Sequence, residues 1–308
     1  MFIINWLTNL NPKMNKLLLA FLIIACASCK NKKERDERKG PVLDSVSNVI
    51  EVPKDLKEIS DLTFVSDSLV AAIEDEKGIL YFFDLSSKKI VREFVFADDG
   101  DYEDLAQKGD TMYVVKANGT IYEIAKFMSE HPQVTYYKTP LKSKHDVEGL
   151  AYDAKNNRLL LSVKEKNLDK NHDEKEFKSI YQFTLKDMKF HEEPAIKIYL
   201  KDIEAQFKGD ELLEASKDFL KAIGNKNLNE VIKPSALAFH PKTGQLYVLS
   251  SINKFILVLN ADGSFSSVKR FNGAEFIQPE GIAFNAKNEL YISNEGRNKK
   301  GNIVKLID

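Results

Sequence analysis

Glu148-Gly149-Leu150-Ala151 is one copy of a phrase that returns as Glu103-Asp104-Leu105-Ala106, Ser235-Ala236-Leu237-Ala238 and Glu280-Gly281-Ile282-Ala283, with a looser copy at Ser60-Asp61-Leu62-Thr63. In chain order the copies begin 43, 45, 87 and 45 residues apart. A period near 45 residues suits one four-stranded propeller blade, a unit that buries its apolar face only by stacking on its neighbours. The interval of 87 is two periods, or one period carrying a long insertion.

Each phrase leads into a short apolar run, a turn and a second run, as in Leu69-Val70-Ala71-Ala72-Ile73 and Leu246-Tyr247-Val248-Leu249. A third run follows in every copy, from Ile79-Leu80-Tyr81-Phe82-Phe83 to Asn302-Ile303-Val304-Lys305-Leu306. More polar fourth strands are expected near 90–96, 133–138, 195–200 and 266–271. The fifth copy stops at Asp308 without one, and Asn48-Val49-Ile50-Glu51-Val52 is placed to supply it and close the ring. The expected fold is all-β, a five-bladed β-propeller over 48–308, with a six-bladed ring as the alternative. Leu212, Leu213, Phe219, Leu220 and Ile223 recur at helical spacing before Gly224, which predicts a helical insertion over 202–231. The charged stretch Glu165 to Lys178 reads as a solvated loop. The recurring tyrosines, Tyr81, Tyr113, Tyr122, Tyr181, Tyr247 and Tyr291, read as blade core.

The first strand of a propeller blade lines the central channel, so Glu103, Glu148 and Glu280 should converge at one mouth. The connection after the second strand returns to that face. Aligned there are Glu74, Lys116, Lys164, Ser250 and Ser293, followed by Asp75, Ala117, Glu165, Ser251 and Asn294. Carboxylates crowded near one axis must either take up protons or be neutralised by a cation. With oxygen ligands alone, calcium or magnesium is favoured over zinc or copper, and irregular loops favour calcium. The candidate metal residues are therefore Glu103, Glu148, Glu280, Glu74, Asp75 and Asp101, the last from the acidic loop Asp98 to Asp104. Because two copies carry serine instead, an ion would sit off-axis toward blades two, three and five. Lys116 and Lys164 would pair with the glutamates or hold an anionic ligand. A purely structural role for the glutamates, capping strand ends, is the competing reading. The five histidines are scattered, and His240-Pro241-Lys242-Thr243-Gly244 reads as a turn in blade four. Neither a Gly-x-Ser-x-Gly elbow nor a phosphate-binding glycine loop occurs.

Lys13 and Lys16 precede the apolar run Leu17 to Ala25, which ends in Cys26-Ala27-Ser28-Cys29. This predicts a lipoprotein-type signal over 1–29, cleaved before Cys26 or Cys29, with Met14 as an alternative start. Residues 30–47 are charged and read as a flexible tether, so the expected location is the cell envelope, periplasmic or surface-exposed, on a lipid anchor. No cysteine follows Cys29, which leaves the exported domain without a disulfide. With 45 Lys and Arg against 46 Asp and Glu, a bulk attraction to nucleic acid is excluded.

The order Glu58-Ile59-Ser60-Asp61-Leu62, Glu74-Asp75-Glu76-Lys77-Gly78, Gly100-Asp101-Tyr102-Glu103-Asp104, Glu148-Gly149-Leu150-Ala151-Tyr152-Asp153, Gln278-Pro279-Glu280-Gly281-Ile282-Ala283-Phe284 and Ser293-Asn294-Glu295-Gly296 resembles the SdiA-regulated family, also called the YjiK/CarP group. The resemblance covers roughly residues 48–308. It implies a five-bladed envelope propeller with calcium sites and a distant likeness to propeller phytases. Glu295 is added as a ligand-binding candidate. Two departures stand out: Asp61 replaces the family's usual Gly, which should alter only a turn, and Ser235 thins the carboxylate ring. The leading expectation is a non-enzymatic, lipid-anchored binder of calcium and of a small ligand or envelope protein. A metal-dependent hydrolase acting as a phytase-like phosphoesterase or esterase is the rival, and a structural scaffold the third possibility.

Overall fold

The computed structural model describes residues 46–168, 177–199, 201–203, 232–252, 254–271 and 273–306. Contacts divide the chain into Met1–Gly40 and Pro41–Asp308, and every described residue belongs to the second unit. The expected signal and all but the last two residues of the expected tether lie outside the described residues. So does the expected helix over 202–231, apart from residues 202 and 203, which sit in a helical turn.

Among the described residues, twenty strands form five antiparallel four-stranded sheets. Blade one is β2 (Ile59–Phe64), β3 (Leu69–Glu74), β4 (Ile79–Asp84) and β5 (Lys89–Val95). Blade two is β6 (Tyr102–Lys108), β7 (Thr111–Lys116), β8 (Ile121–Ala125) and β9 (Gln133–Tyr137). Blade three is β10 (Val147–Asp153), β11 (Arg158–Val163), β12 (Phe177–Thr184) and β13 (Lys189–Tyr199). Blade four is β14 (Pro234–Phe239), β15 (Leu246–Ser250), β16 (Phe255–Leu259) and β17 (Phe265–Arg270). Blade five is β18 (Pro279–Phe284), β19 (Leu290–Asn294) and β20 (Asn302–Leu306), completed by β1 (Val46–Glu51) from the other end of the chain. The closing strand pairs Val49 with Val304 and Ile50 with Ile303, and it begins two residues inside the expected tether. The ring has five blades, and the long interval falls between blades three and four.

Ring closure follows from where the apolar residues are. The core consists of five clusters, each filling the seam between two adjacent blades. Leu160, Ile180 and Ile198 of blade three meet Leu237, Val248 and Leu257 of blade four. Ile50, Ala283 and Ile303 of blade five meet Leu62, Val70 and Phe83 of blade one. Each fully buried Leu, Ile or Phe contributes about 1.5–3 kcal/mol, and no blade collects this without a neighbour. Tyr81, Tyr113, Tyr181, Tyr247 and Tyr291 are buried in these seams, as expected of blade core.

All five inner strands break register at the same place. Ile59 pairs with Glu74 and Asp61 with Ile73, so Ser60 is an extra residue; Glu103, Glu148, Ser235 and Glu280 are extra in the same way. The first residue of each phrase is therefore a β-bulge, the device that re-aims a side chain out of the ladder. The phrase recurs because every blade carries the same bulge at the channel.

The next position holds Asp61, Asp104, Gly149, Ala236 and Gly281. Asp61 accepts the N–H of Ile282 at 3.0 Å, and Asp104 accepts those of Leu105 at 2.6 Å, Leu150 at 2.5 Å and Leu237 at 3.3 Å. Both aspartates are buried. The other three positions are small to make room: a Cβ on Gly281 would lie 2.6 Å from the Cα of Asp61. The expectation that Asp61 alters only a turn is thus corrected, since it sits inside the channel and ties blade one to blade five. The stretch 165–178 is also corrected where it is described. Asn167 is buried, bonding Phe177 and Ser179, and Lys178 is buried with Nζ 2.8 Å from the Lys164 carbonyl. His240 holds its turn as expected, its Nδ1 accepting the N–H groups of Lys242 and Thr243.

Candidate functional site

Three residues per blade surround the mouth at which the inner strands begin. The bulge residues form the first ring: Ser60, Glu103, Glu148, Ser235 and Glu280. Two positions earlier stand Glu58, Asp101, Asp146, Lys233 and Gln278. The third ring follows the second strand: Asp75, Ala117, Lys164, Ser251 and Glu295. The last two rings are locked together by one repeated bond. The N–H of Asp75 donates to the Glu58 carbonyl, Ala117 to Asp101, Lys164 to Asp146 and Glu295 to Gln278, at 2.7–3.3 Å. Blade-to-blade bonds add Tyr102 N–H to the Asp75 carbonyl and Val147 N–H to that of Ala117.

Register corrects the expected alignment in two blades. The residues facing the position before the bulge are Glu74, Lys116, Val163, Ser250 and Asn294, so Lys164 and Ser293 were each aligned one residue off. Glu165 consequently lies beyond the ring and pairs with Lys233.

The mouth encloses a cavity of about 120 Å³, lined among others by Asp75, Asp101, Glu103, Glu148, Lys164, Ser235, Glu280 and Glu295. This is far below the several hundred Å³ of a drug-sized pocket and suits an ion with its waters or a small polar group. Of the expected residues, Glu103, Glu148, Glu280, Asp75, Asp101, Lys164 and Glu295 are brought together. Glu74 and Lys116 are not. Glu74 caps the following turn, accepting the N–H of Lys77 at 2.6 Å, and Lys116 lies 4.9 Å over the Tyr102 ring. Reading the sequence missed Asp146 and Glu58. Their signal was available, because both stand two residues before a phrase, as Asp101 does.

The tightest convergence is Glu103, Asp146 and Glu148, whose carboxylate oxygens lie within 4.8 Å of one another. Asp146 is held in a left-handed backbone conformation, φ 56°, and so departs from the extended path just before the bulge. Burial, then the neighbouring Glu148 and then Asp101 hold Glu103 well above the usual carboxylate range. Burial raises Glu148, Glu280 and Asp146 as well, with Lys164 opposing it at all three. Asp75 is pushed up to about 7 by burial and by Glu58, Glu74 and Glu295. Lys164 contacts Glu148 directly; burial pulls its ammonium down, but Glu148, Glu280 and Asp146 outweigh that and raise it. Among the described residues, two buried oxygens in this mouth have no hydrogen-bond partner: Ser235 Oγ and Asp75 Oδ1.

The family model for SdiA-regulated proteins matches residues 46–298. The chain belongs to the SdiA-regulated family. No curated protein matches it. Among solved structures, this SdiA-regulated chain is similar to the glutaminyl cyclase of Myxococcus xanthus, at 12% identity and TM-score 0.54 over 86% of this chain and 97% of that one. It is also similar to a virginiamycin B lyase from Staphylococcus aureus, at 14% identity and TM-score 0.45 over 83% and 71%. At such identities the first likeness speaks for the fold alone, and the second is too weak to add to it.

At the opposite end of the channel, a second cavity of about 170 Å³ is lined by later inner-strand residues such as Leu105, Ala151, Phe239 and Phe284. Asp61 and Asp104 lie between the two ends. The SdiA-regulated fold thus presents one acidic mouth and one whose lining carries no acidic side chain.

Proposed function

We propose that this protein is an exported, lipid-anchored propeller that binds a divalent cation, calcium, in the acidic mouth, and through it a small ligand or envelope protein, without catalysing a reaction. The convergence of Glu103, Asp146 and Glu148 supports this reading. A hard, oxygen-rich, irregular donor set favours calcium, and an ion there would replace the protons that burial now imposes. The Lys13 to Cys29 signal supports the anchor, and among the described residues no helix is long and apolar enough to cross a membrane.

Calcium titration followed by melting temperature tests the site, because a ligand specific for the folded state raises it. Absence of a shift with calcium, magnesium or manganese would leave only a scaffold. For the anchor, one of Cys26→Ala and Cys29→Ala, and the double variant, should release the protein from membranes; retention of the double variant rejects lipidation.

A metal-dependent phosphoesterase or esterase is the second reading. It draws on the protonated Glu103 carboxyl beside Glu148, an arrangement suited to proton transfer next to a bound ion. Screening phosphomonoesters, phytate, carboxyl esters and lactones against wild type and the Glu148→Gln, Glu280→Gln double variant separates the readings. Turnover lost in the double variant establishes the enzyme.

A further inference from the structure

The acidic mouth already contains a cation of its own. The Lys164 ammonium rests against Glu148 inside the cavity, and its field reaches Glu280 and Asp146. It is not a surface lysine that happened to fold inward. Its backbone N–H is fixed by the Asp146 carbonyl at 2.7 Å, and its own carbonyl is gripped by the buried Lys178 ammonium at 2.8 Å. The equivalent positions in the other blades are Asp75, Ala117, Ser251 and Glu295, so only blade three brings a positive charge to this ring.

In the same lining stands Ser235, 2% exposed, whose hydroxyl oxygen has no hydrogen-bond partner among the described residues. A buried hydroxyl left unpaired costs about 1–3 kcal/mol, so this oxygen points to a guest that the internal ammonium does not satisfy. The mouth is therefore partly neutralised from within but not fully coordinated.

We propose that Lys164 is a built-in competitor for the external cation: a divalent ion enters by displacing the ammonium from Glu148, and this exchange sets both its affinity and its selectivity over monovalent ions. The inference rests on the cation-site reading above and adds how that site is regulated. A monovalent ion brings no more charge than the ammonium it must expel, whereas a divalent ion brings twice as much to the same carboxylates. Displacement leaves the Lys164 side chain, four methylenes long, free to swing toward solvent.

The test uses the full-length protein, with calcium and sodium as the probes. Lys164→Met should bind calcium at least tenfold more tightly than wild type by isothermal titration, and should gain a sodium-dependent rise in melting temperature that wild type lacks. Because Lys164→Met leaves Glu148 without its partner and could impair folding, a second measurement uses wild type alone. Reductive methylation of Lys164, followed by peptide mass mapping, should accelerate several-fold when calcium is added. Calcium binding by wild type with no gain in Lys164→Met, or with unchanged methylation, overturns the competitor and leaves the cation site standing. Absence of calcium binding in both proteins overturns the cation site and the competitor together.

Discussion

Asp61 of blade one and Asp104 of blade two meet inside the channel, where both accept the N–H of Leu105, at 3.4 and 2.6 Å. Between them they accept the backbone N–H groups of Leu105, Leu150, Leu237 and Ile282, from the inner strands of blades two to five. Burial raises both carboxyls, and after burial the neighbouring Asp61 adds to the rise at Asp104, which stands well above its ordinary value. The pair does for the ring's centre what the apolar seams do for its periphery.

Removing this acceptor should therefore be far worse than neutralising it. Asp104→Ala orphans the N–H groups of Leu150 and Leu237, and an unsatisfied buried donor costs about 1–3 kcal/mol. A loss of about 3–5 kcal/mol is expected in urea unfolding. Asp104→Asn keeps one acceptor and a donor toward Asp61, and should cost about 1–2 kcal/mol. Equal losses for the two variants would reject the acceptor role of Asp104.

The raised carboxyls give the metal-free protein an inverted pH profile. Each such group keeps its proton in the folded state at a pH where the unfolded chain has released it, so the folded form binds more protons and stability falls as pH rises. For Asp75 the window runs from the ordinary value of 3.8 up to about 7. Protein stripped with a chelator should melt lower at pH 8 than at pH 5. Asp75→Asn should flatten that slope, and saturating calcium should abolish it. A melting temperature that climbs between pH 5 and pH 8 would contradict these shifts.

How far the sequence disclosed this site depends on what each residue answers to. Glu103, Glu148 and Glu280 were legible because they obey the repeat, and the repeat is a local bulge. Asp146 obeys the same repeat two residues earlier, but it stands apart from the conspicuous phrase and was passed over. Lys164 was matched to the wrong ring because a bulge shifts the count by one, and periodic spacing carries no trace of which residue is skipped. Asp61 was hidden for a different reason. Its partners are Asp104 and Ile282, and the latter lies 221 positions along the chain. Only closure of the ring brings them together.

Lys178 should control the order of the loop that carries Lys164. Its ammonium donates to the carbonyls of Lys164 and Glu165 at 2.8 and 3.3 Å from a buried position. Lys178→Met preserves the apolar stem but leaves those carbonyls short of a donor, a loss of about 1–3 kcal/mol. Limited proteolysis should then cleave near residues 164–168 faster than in wild type, while cleavage elsewhere is unchanged. Uniformly faster cleavage would show a global rather than a local role.

The closing strand makes the sharpest demand on stability. Among the described residues, β1 is the only strand that reaches its sheet from the far end of the sequence, and Ile50 is 4% exposed in the seam between blades five and one. Ile50→Ala should cost about 2–4 kcal/mol, as expected for a core isoleucine, although it lies in the first described strand. Val91 on the outer strand of blade one, 58% exposed, is the control, and Val91→Ala should change stability by less than about 0.5 kcal/mol. Deleting residues 46–52 goes further, since it leaves the β20 edge unpaired beside Ile303, and unpaired edges recruit other chains. Light scattering should then show concentration-dependent oligomers that the point variants do not form. A monomeric deletion variant with wild-type melting would mean that the ring is held shut by its seams and not by the strand.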